Sequence, residues 1–188
     1  MNQTLETIKS LRTIHGQFSD KKISDENLNI ILQSAVRAAN SSARQCYSII
    51  VISNKEKMKK ISEYVGDKLL VFCVDFTRLI DLAKHLSNEC DVSDVLGFIT
   101  GSTDTILAAQ TACIAAKSLG IDSLFTQRGI HRKEIKQVFK LLNLPNKYCF
   151  PLVSLVLGYP KEEPSSKRER LLGPGIIHYE TYNHLTHL

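Results

Sequence analysis

Apolar residues fall into three rhythms along this chain: one helical, one extended, and one that fills nearly a whole stretch. That stretch is 102–120, STDTILAAQTACIAAKSLG, where almost every residue between the ends is Ala, Ile, Leu, Cys or Thr. An amphipathic surface helix carries a polar stripe, whereas a helix that is apolar all round is buried in a core or an interface. Its small side chains, Ala108, Ala109, Ala112, Ala115 and Ala116, let other backbones approach closely. Ser102 or Thr103 can cap the start, Asp104 suits the positive end of the helix dipole, Lys117 the negative end, and Gly120 the stop. The pattern predicts a central helix over 102–120. It is too short and too interrupted by polar residues to span a membrane.

The helical rhythm recurs elsewhere. Leu5, Ile8 and Leu11 mark a helix over 4–11, and Leu28, Ile31, Leu32, Ala35 and Ala39 mark one that Ser24 caps. Met58, Ile61 and Val65 give a lysine-rich surface helix over 55–65, and 77–86 continues the pattern. Ile135, Val138, Phe139 and Leu142 give a helix over 131–142, stopped by Pro145. Four β-branched or continuously apolar runs, 47–53, 68–75, 121–126 and 148–159, predict strands, and the first two are read as buried. Residues 85–98 break pattern and are read as a substrate-facing lid or a plain surface excursion.

Strands alternating with helices give a layered α/β or α+β domain, which 43% hydrophobic residues in 188 can fill. One domain spans 1–160. The tail, 161–188, begins charged and turn-rich and ends IIHYETYNHLTHL, which has no core of its own and should lie against something. A net charge of +5 suits solubility or an anionic ligand, and no basic run interleaved with aromatics suggests nucleic acid. Five scattered cysteines without a CxxC predict reduced, mostly buried thiols. The first residues lack a signal-peptide layout, so a cytoplasmic location is expected.

No Walker sequence, GxGxxG, HExxH or GxSxG occurs. His85, Cys90, and the His184/His187 pair near the chain end lack the convergent groups a metal requires. Asp91 and Asp94 read as the solvated face of a turn. What stands out are phosphate-friendly groups at element ends: Arg12 and His15, the Ser41/Ser42 loop, Arg128, and Arg168 with Arg170. Arginine forks bind phosphate oxygens in bidentate geometry. Spacing alone leaves open whether these groups converge or lie separately on the surface.

Four features in register carry a resemblance: RTIHGQF at 12–18, ANSSARQCY at 39–47 before a strand, the buried helix 104–120, and LGYP followed by KRERL. In this order they resemble the nitroreductase-like flavoproteins. The resemblance implies an α+β fold, with a mixed sheet flanked by helices, and an intertwined homodimer whose C-terminal arm, 161–188, packs on the partner. It implies FMN at the dimer interface. Carried over residue by residue, Arg12 and Arg170 match the family's phosphate arginines, Arg168 takes the adjacent basic position, and Thr13 and His15 share the phosphate turn. Asn40, Ser41, Ser42 and Gln45 fall in the family's serine-rich flavin loop, and Thr126, Gln127 and Arg128 fall where a loop runs beside the flavin. Ile14 and Gly16 depart from the usual phosphate turn, and Ala39, Ala43 and Cys46-Tyr47 from the flavin loop.

The activity implied is oxidoreduction: NADH or NADPH gives hydride to the flavin N5, and a small organic acceptor (a nitroaromatic, a quinone or similar) then takes the electrons. The cofactor carries that chemistry, so no catalytic side chain is assigned; Gln45 and Arg128 position. Two other readings stay open, a non-catalytic flavin-binding or regulatory module and a basic adaptor without flavin.

Overall fold

The computed structural model describes residues 2–128, 130, 135–163, 169–171, 173, 175–182 and 184. Ten regular elements alternate along them: α1 (Gln3–Ser10), α2 (Asp25–Val36), β1 (Tyr47–Ile52), α3 (Lys55–Ser62), β2 (Lys68–Asp75), α4 (Thr77–His85), α5 (Val95–Ser118), β3 (Asp122–Thr126), α6 (Ile135–Leu142) and β4 (Cys149–Gly158), with a short 3-10 turn at Ser41–Ala43. The four strands form one sheet in the order β1-β2-β4-β3, every neighbouring pair antiparallel. The parallel pairing expected of a mixed sheet is represented, among the described residues, by the single bridge Thr13–Ser123 beside β3.

This order explains the burial of the strands. Inner β2 is buried from Leu69 to Asp75, as its unbroken apolar run requires. Strand β1, expected to be buried, is a half-exposed edge strand because only β2 pairs with it. One face of the sheet packs Leu70, Phe72, Leu155 and Leu157 against Ile31 and Ala35 of α2 and the alanines of α5. The other packs Leu69, Val71, Leu124 and Val156 against Met58 and Ile61 of α3 and Val138 of α6. Helices therefore cover both faces of an α+β sandwich. Ile135 and Val65, expected in the core, are exposed and half-buried. Residues 131–134 of the expected sixth helix lie outside the described residues.

The central helix is longer than the sequence pattern suggests. It starts at Val95, where the Asp94 carboxylate accepts the Gly97 N–H at 2.7 Å, so the cap is neither Ser102 nor Thr103. Residues 95–98, read as part of a lid or a plain surface excursion, are its first turn; the connection is only 86–94. Gly97 and Gly101 disguise this turn, since glycine weakens a helix. Gly101 has a packing reason: a Cβ there would lie 2.6 Å from Val74 Cγ1 and 2.8 Å from Phe76 Cζ. At the far end Gly120, at φ +73°, stops the helix as expected, its N–H donating to Lys117 O and that of Ile121 to Ala116 O.

Only one side of α5 is covered. Gly101, Asp104, Thr105, Ala108, Ala109, Ala112, Cys113 and Ala116 are buried, whereas Ile99, Ile106 and Leu107 on the opposite side are 53%, 53% and 40% exposed. In the tail, Leu171, Ile176, Ile177, Tyr179 and Tyr182 are exposed as well. Cys46, Cys73, Cys113 and Cys149 are buried free thiols, and Cys90 is an exposed one. Among the described residues no helix is long and apolar enough to cross a membrane, and no three His, Cys, Asp or Glu converge to hold a metal ion.

Candidate functional site

The end of α1 delivers Arg12 to the edge of the sheet. Thr13 bridges Ser123 of β3, the Ile14 N–H donates to Ser123 O at 3.1 Å, and the buried Ile14 side chain anchors the segment. Gly16, at φ +77°, then turns the chain away. Arg12 donates through Nε (3.2 Å) and Nη2 (2.7 Å) to Asp122, whose side chain is only 2% exposed. Lys117 Nζ meets the other Asp122 oxygen at 2.7 Å. The remaining Arg12 nitrogen, Nη1, donates to the exposed Glu163 carboxylate at 2.7 Å.

Burial pushes the Asp122 carboxyl up, but hydrogen bonds from Arg12 and Lys117 outweigh it and hold the group below the usual carboxylate range. Arg12, paired with Glu163 and Asp122, is held more firmly protonated than usual, and Glu163 is lowered in turn by Arg12. A groove of about 440 Å³ opens beside this network, lined in part by Lys9, Arg12, Thr13, Gln110, Phe125 and Arg170. The two arginines predicted at opposite ends of the chain, and Thr13, thus share one cavity. His15 stands outside that lining, its ring tilted at 6.4 Å from that of Tyr64. Arg168 lies outside the described residues.

Residues 40–45 form a second cluster at the end of α2. Ser42, Ala43 and Gln45 all have left-handed backbone, at φ +52°, +55° and +50°, which is costly for residues other than glycine. Asp104, 1% exposed, sits beneath them and accepts the Ser41 N–H at 2.8 Å and the Cys46 N–H at 3.2 Å. Asn40 Oδ1 accepts the Gln45 N–H, and Gln45 Nε2 donates to Val36 O and to the Tyr47 hydroxyl. Arg78 Nη2 donates to Gln45 O at 2.6 Å and Tyr47 O at 3.0 Å. Burial and then Asp104 push the Cys46 thiol up to about 11, so it stays neutral. Gln45, Tyr47 and Arg78 line a groove of about 360 Å³ that shares no lining residue with the first.

The third predicted group stands at the end of β3. Thr126 is buried, and its hydroxyl accepts the Arg128 N–H at 3.3 Å, while Arg128 Nη1 reaches Glu63 Oε2 at 3.3 Å. Gln127 is exposed. The polar groups that organise all this, Asp122, Lys117, Asp104 and Arg78, were not singled out as site residues from the sequence. Asp104 and Lys117 read as helix-end charges, and Asp122 and Arg78 gave no local signal. Lys9, in the last turn of α1, is a further lining residue that the sequence reading did not mark.

Residues 8–81 match the model of the nitroreductase family. An FMN reductase (NADPH) from Bacillus subtilis is 33% identical over 97% of this chain and 76% of its own length. An oxygen-insensitive NADPH nitroreductase from Salmonella typhimurium is 30% identical over 98% of the chain and 77% of its own length. The structure of B. megaterium NfrA2 superposes with a TM-score of 0.91 at 36% identity, covering 98% of this chain and 76% of that one. With its layered fold, its arginine groove and relatives matched over nearly its whole length, the chain belongs to the nitroreductase family.

Proposed function

We propose that this protein is an FMN-dependent NAD(P)H oxidoreductase of the nitroreductase type, passing electrons to a small organic acceptor such as a nitroaromatic or a quinone. One observation carries the cofactor assignment: Arg12 and Arg170, from opposite ends of the chain, line one groove together with Lys9 and Thr13. Three cations and a hydroxyl are a donor set for a phosphate monoester, and the groove falls in the size range of small-ligand sites. Those residues fit the FMN phosphate. Relatives named as NADPH-dependent flavin and nitro reductases support the reductant and the reaction class.

FMN, when bound, would supply the redox chemistry between the nicotinamide and the acceptor. The side chains of this chain bind and orient. Asp122, held at its other oxygen by Lys117, fixes the Arg12 guanidinium and leaves Nη1 as the nitrogen paired with the solvated Glu163, the partner that a phosphate would replace. Arg170 closes the same groove from the tail. The loop of Asn40, Ser41, Ser42 and Gln45 would hold the uncharged part of the cofactor, with Thr126, Gln127, Arg128, Arg168 and His15 as the remaining candidates. No side chain is assigned a covalent or proton-transfer step.

The working unit is a homodimer in the cytoplasm, in which residues 1–160 form the flavin domain and 161–188 an arm on the partner. The uncovered apolar side of α5 and the exposed Ile176, Ile177, Tyr179 and Tyr182 support that assembly.

The test is to saturate the purified protein with FMN, remove the excess, and add NADH and then NADPH anaerobically. The expected result is a retained visible flavin band that bleaches with at least one nucleotide and recovers when a nitroaromatic or quinone is added. A band that neither nucleotide bleaches leaves only a flavin-binding module. Absence of retained flavin removes the phosphate assignment of Arg12 and Arg170.

A further inference from the structure

We propose that Asp104 and Arg78 are positioning residues that clamp the backbone of residues 40–45 in its flavin-binding shape. The inference rests on the FMN reading above. It starts from a discrepancy. Asp104 read as a helix-end charge, yet it lies ten residues inside α5, 1% exposed, on a helix that already has Asp94 as its cap. A carboxylate is costly in such a place unless its oxygens are occupied. Each of them is: Oδ1 by the Ser41 N–H and Oδ2 by the Cys46 N–H.

Those two amides bracket the loop. Between them lie Ser42, Ala43 and Gln45, three non-glycine residues in left-handed backbone. Such a run persists only where the surroundings over-determine it. Asp104 fixes both ends from the core, and Arg78 fixes the exit from the outside by holding Gln45 O and Tyr47 O with one nitrogen. Hydrogen bonds to charged groups are stronger than neutral ones, and both clamps are of that kind. Neither side chain lines the arginine groove; Asp104 is buried beneath the loop and acts through it, while Arg78 borders the second groove and holds the loop's exit there. The buried small-residue side of α5 has a second consequence here: it seats the helix close enough for a side chain as short as aspartate to reach the loop.

The test uses the full chain, with wild type beside Asp104→Asn and Arg78→Ala. Three quantities are read: exchange of the Ser41 and Cys46 amide hydrogens, FMN affinity by fluorescence titration, and the visible circular dichroism of bound flavin. Asparagine keeps one acceptor and turns an N–H donor toward the other amide, so Asp104→Asn should speed exchange at one or both amides. It should also weaken FMN roughly tenfold or more, as expected for losing a hydrogen bond to a charged group. The visible flavin dichroism should change while core amides of β2 and β4 keep their protection. Arg78 is on the surface, so Arg78→Ala should fold even if the buried change does not, and should weaken FMN several-fold with the same dichroism change. A freed loop that binds FMN with wild-type affinity and dichroism overturns the clamp. So does wild-type FMN affinity in Arg78→Ala when Asp104→Asn fails to fold. Failure of wild type itself to hold FMN overturns the FMN reading instead.

Discussion

Arg12 grips Asp122 through two nitrogens, Nε at 3.2 Å and Nη2 at 2.7 Å, on a carboxylate that Lys117 holds from its other oxygen at 2.7 Å. One buried anion thus serves two cations from different elements: Arg12 just beyond α1, and Lys117 in the last turn of α5. That arrangement commits Nε and Nη2 of the guanidinium to a buried carboxylate and leaves Nη1 to the exposed Glu163. It also couples the fold to the site, because Asp122 opens β3 and the adjacent Ser123 bridges Thr13.

Asp122→Asn should therefore destabilise the fold by about 3 kcal/mol, the scale for removing one member of a buried ion pair. Urea unfolding measures this directly. The pH dependence has a definite sign. The folded-state carboxyl lies below its ordinary value, so its contribution is complete above that value and is lost as pH falls through the depressed one. Wild-type stability should drop with acid below about pH 4, and the drop should be shallower in Asp122→Asn.

Glu163→Gln tests the opposite partner of Arg12. Its carboxylate occupies Nη1 from a solvated position, and on the proposed FMN reading it would compete with the phosphate for Arg12. Removing the charge should tighten FMN modestly at low ionic strength, and the gain should vanish at high salt, where exposed pairs are screened. Riboflavin, which has no phosphate, should bind Glu163→Gln and wild type alike. A tightening that salt leaves unchanged would point away from charge competition.

Arg170→Ala is a cleaner probe of the phosphate assignment than Arg12→Ala, since removing Arg12 also leaves the buried Asp122 with Lys117 as its remaining cation. Losing one charge-assisted phosphate contact should weaken FMN by roughly tenfold or more and leave riboflavin affinity unchanged. Titrating both ligands against the same preparation decides the matter. Equal losses for the two flavins would place Arg170 away from the phosphate.

Gly101→Ala would add a Cβ 2.6 Å from Val74 Cγ1, inside the cluster of Cys46, Val74, Phe76 and Ile80. Alanine gains about 1 kcal/mol of helix propensity, while overpacking costs about 1–3 kcal/mol. A net loss of about 1 kcal/mol is expected in denaturant unfolding. An increase in stability would mean that Val74 and Phe76 shift freely.

How far the sequence carried this picture depended on the range of the interaction. Ser24 as a cap, Gly120 as a stop and Leu28, Ile31, Leu32 and Ala35 of α2 act within a few residues and read correctly, whereas Ala39, read on the same face, lies beyond the end of α2 and is exposed. The half-exposure of β1 did not, because it depends on the strand order and not on YSIIVIS itself. The start of α5 was hidden by Gly97 and Gly101, whose reason is contact with residues about 5 and 25 positions upstream. At the site, spacing alone left Arg12 and Arg170 as surface arginines; because they match the family's phosphate positions, they could be marked before their shared groove was known. Asp122 and Asp104 could not: a buried carboxylate looks like any surface aspartate until its partners, 110 and 63 residues away, are in place.

The outward side of α5 carries the last prediction. Ile106 is 53% exposed beside Leu107, on a helix whose other side is filled with alanine and whose sequence is apolar all round. Leaving that surface in water has a cost that pairing two copies would remove. Wild type should sediment as a dimer, and Ile106→Glu, which would bury a charge in the pair, should sediment as a monomer with its helicity intact. FMN content should fall with it, because the resemblance puts the cofactor between subunits. If Ile106→Glu remains a dimer with full FMN, this side of α5 is not the interface. If it becomes a monomer that keeps FMN, the cofactor belongs to one chain alone, and the arginine groove must hold it without help from a partner.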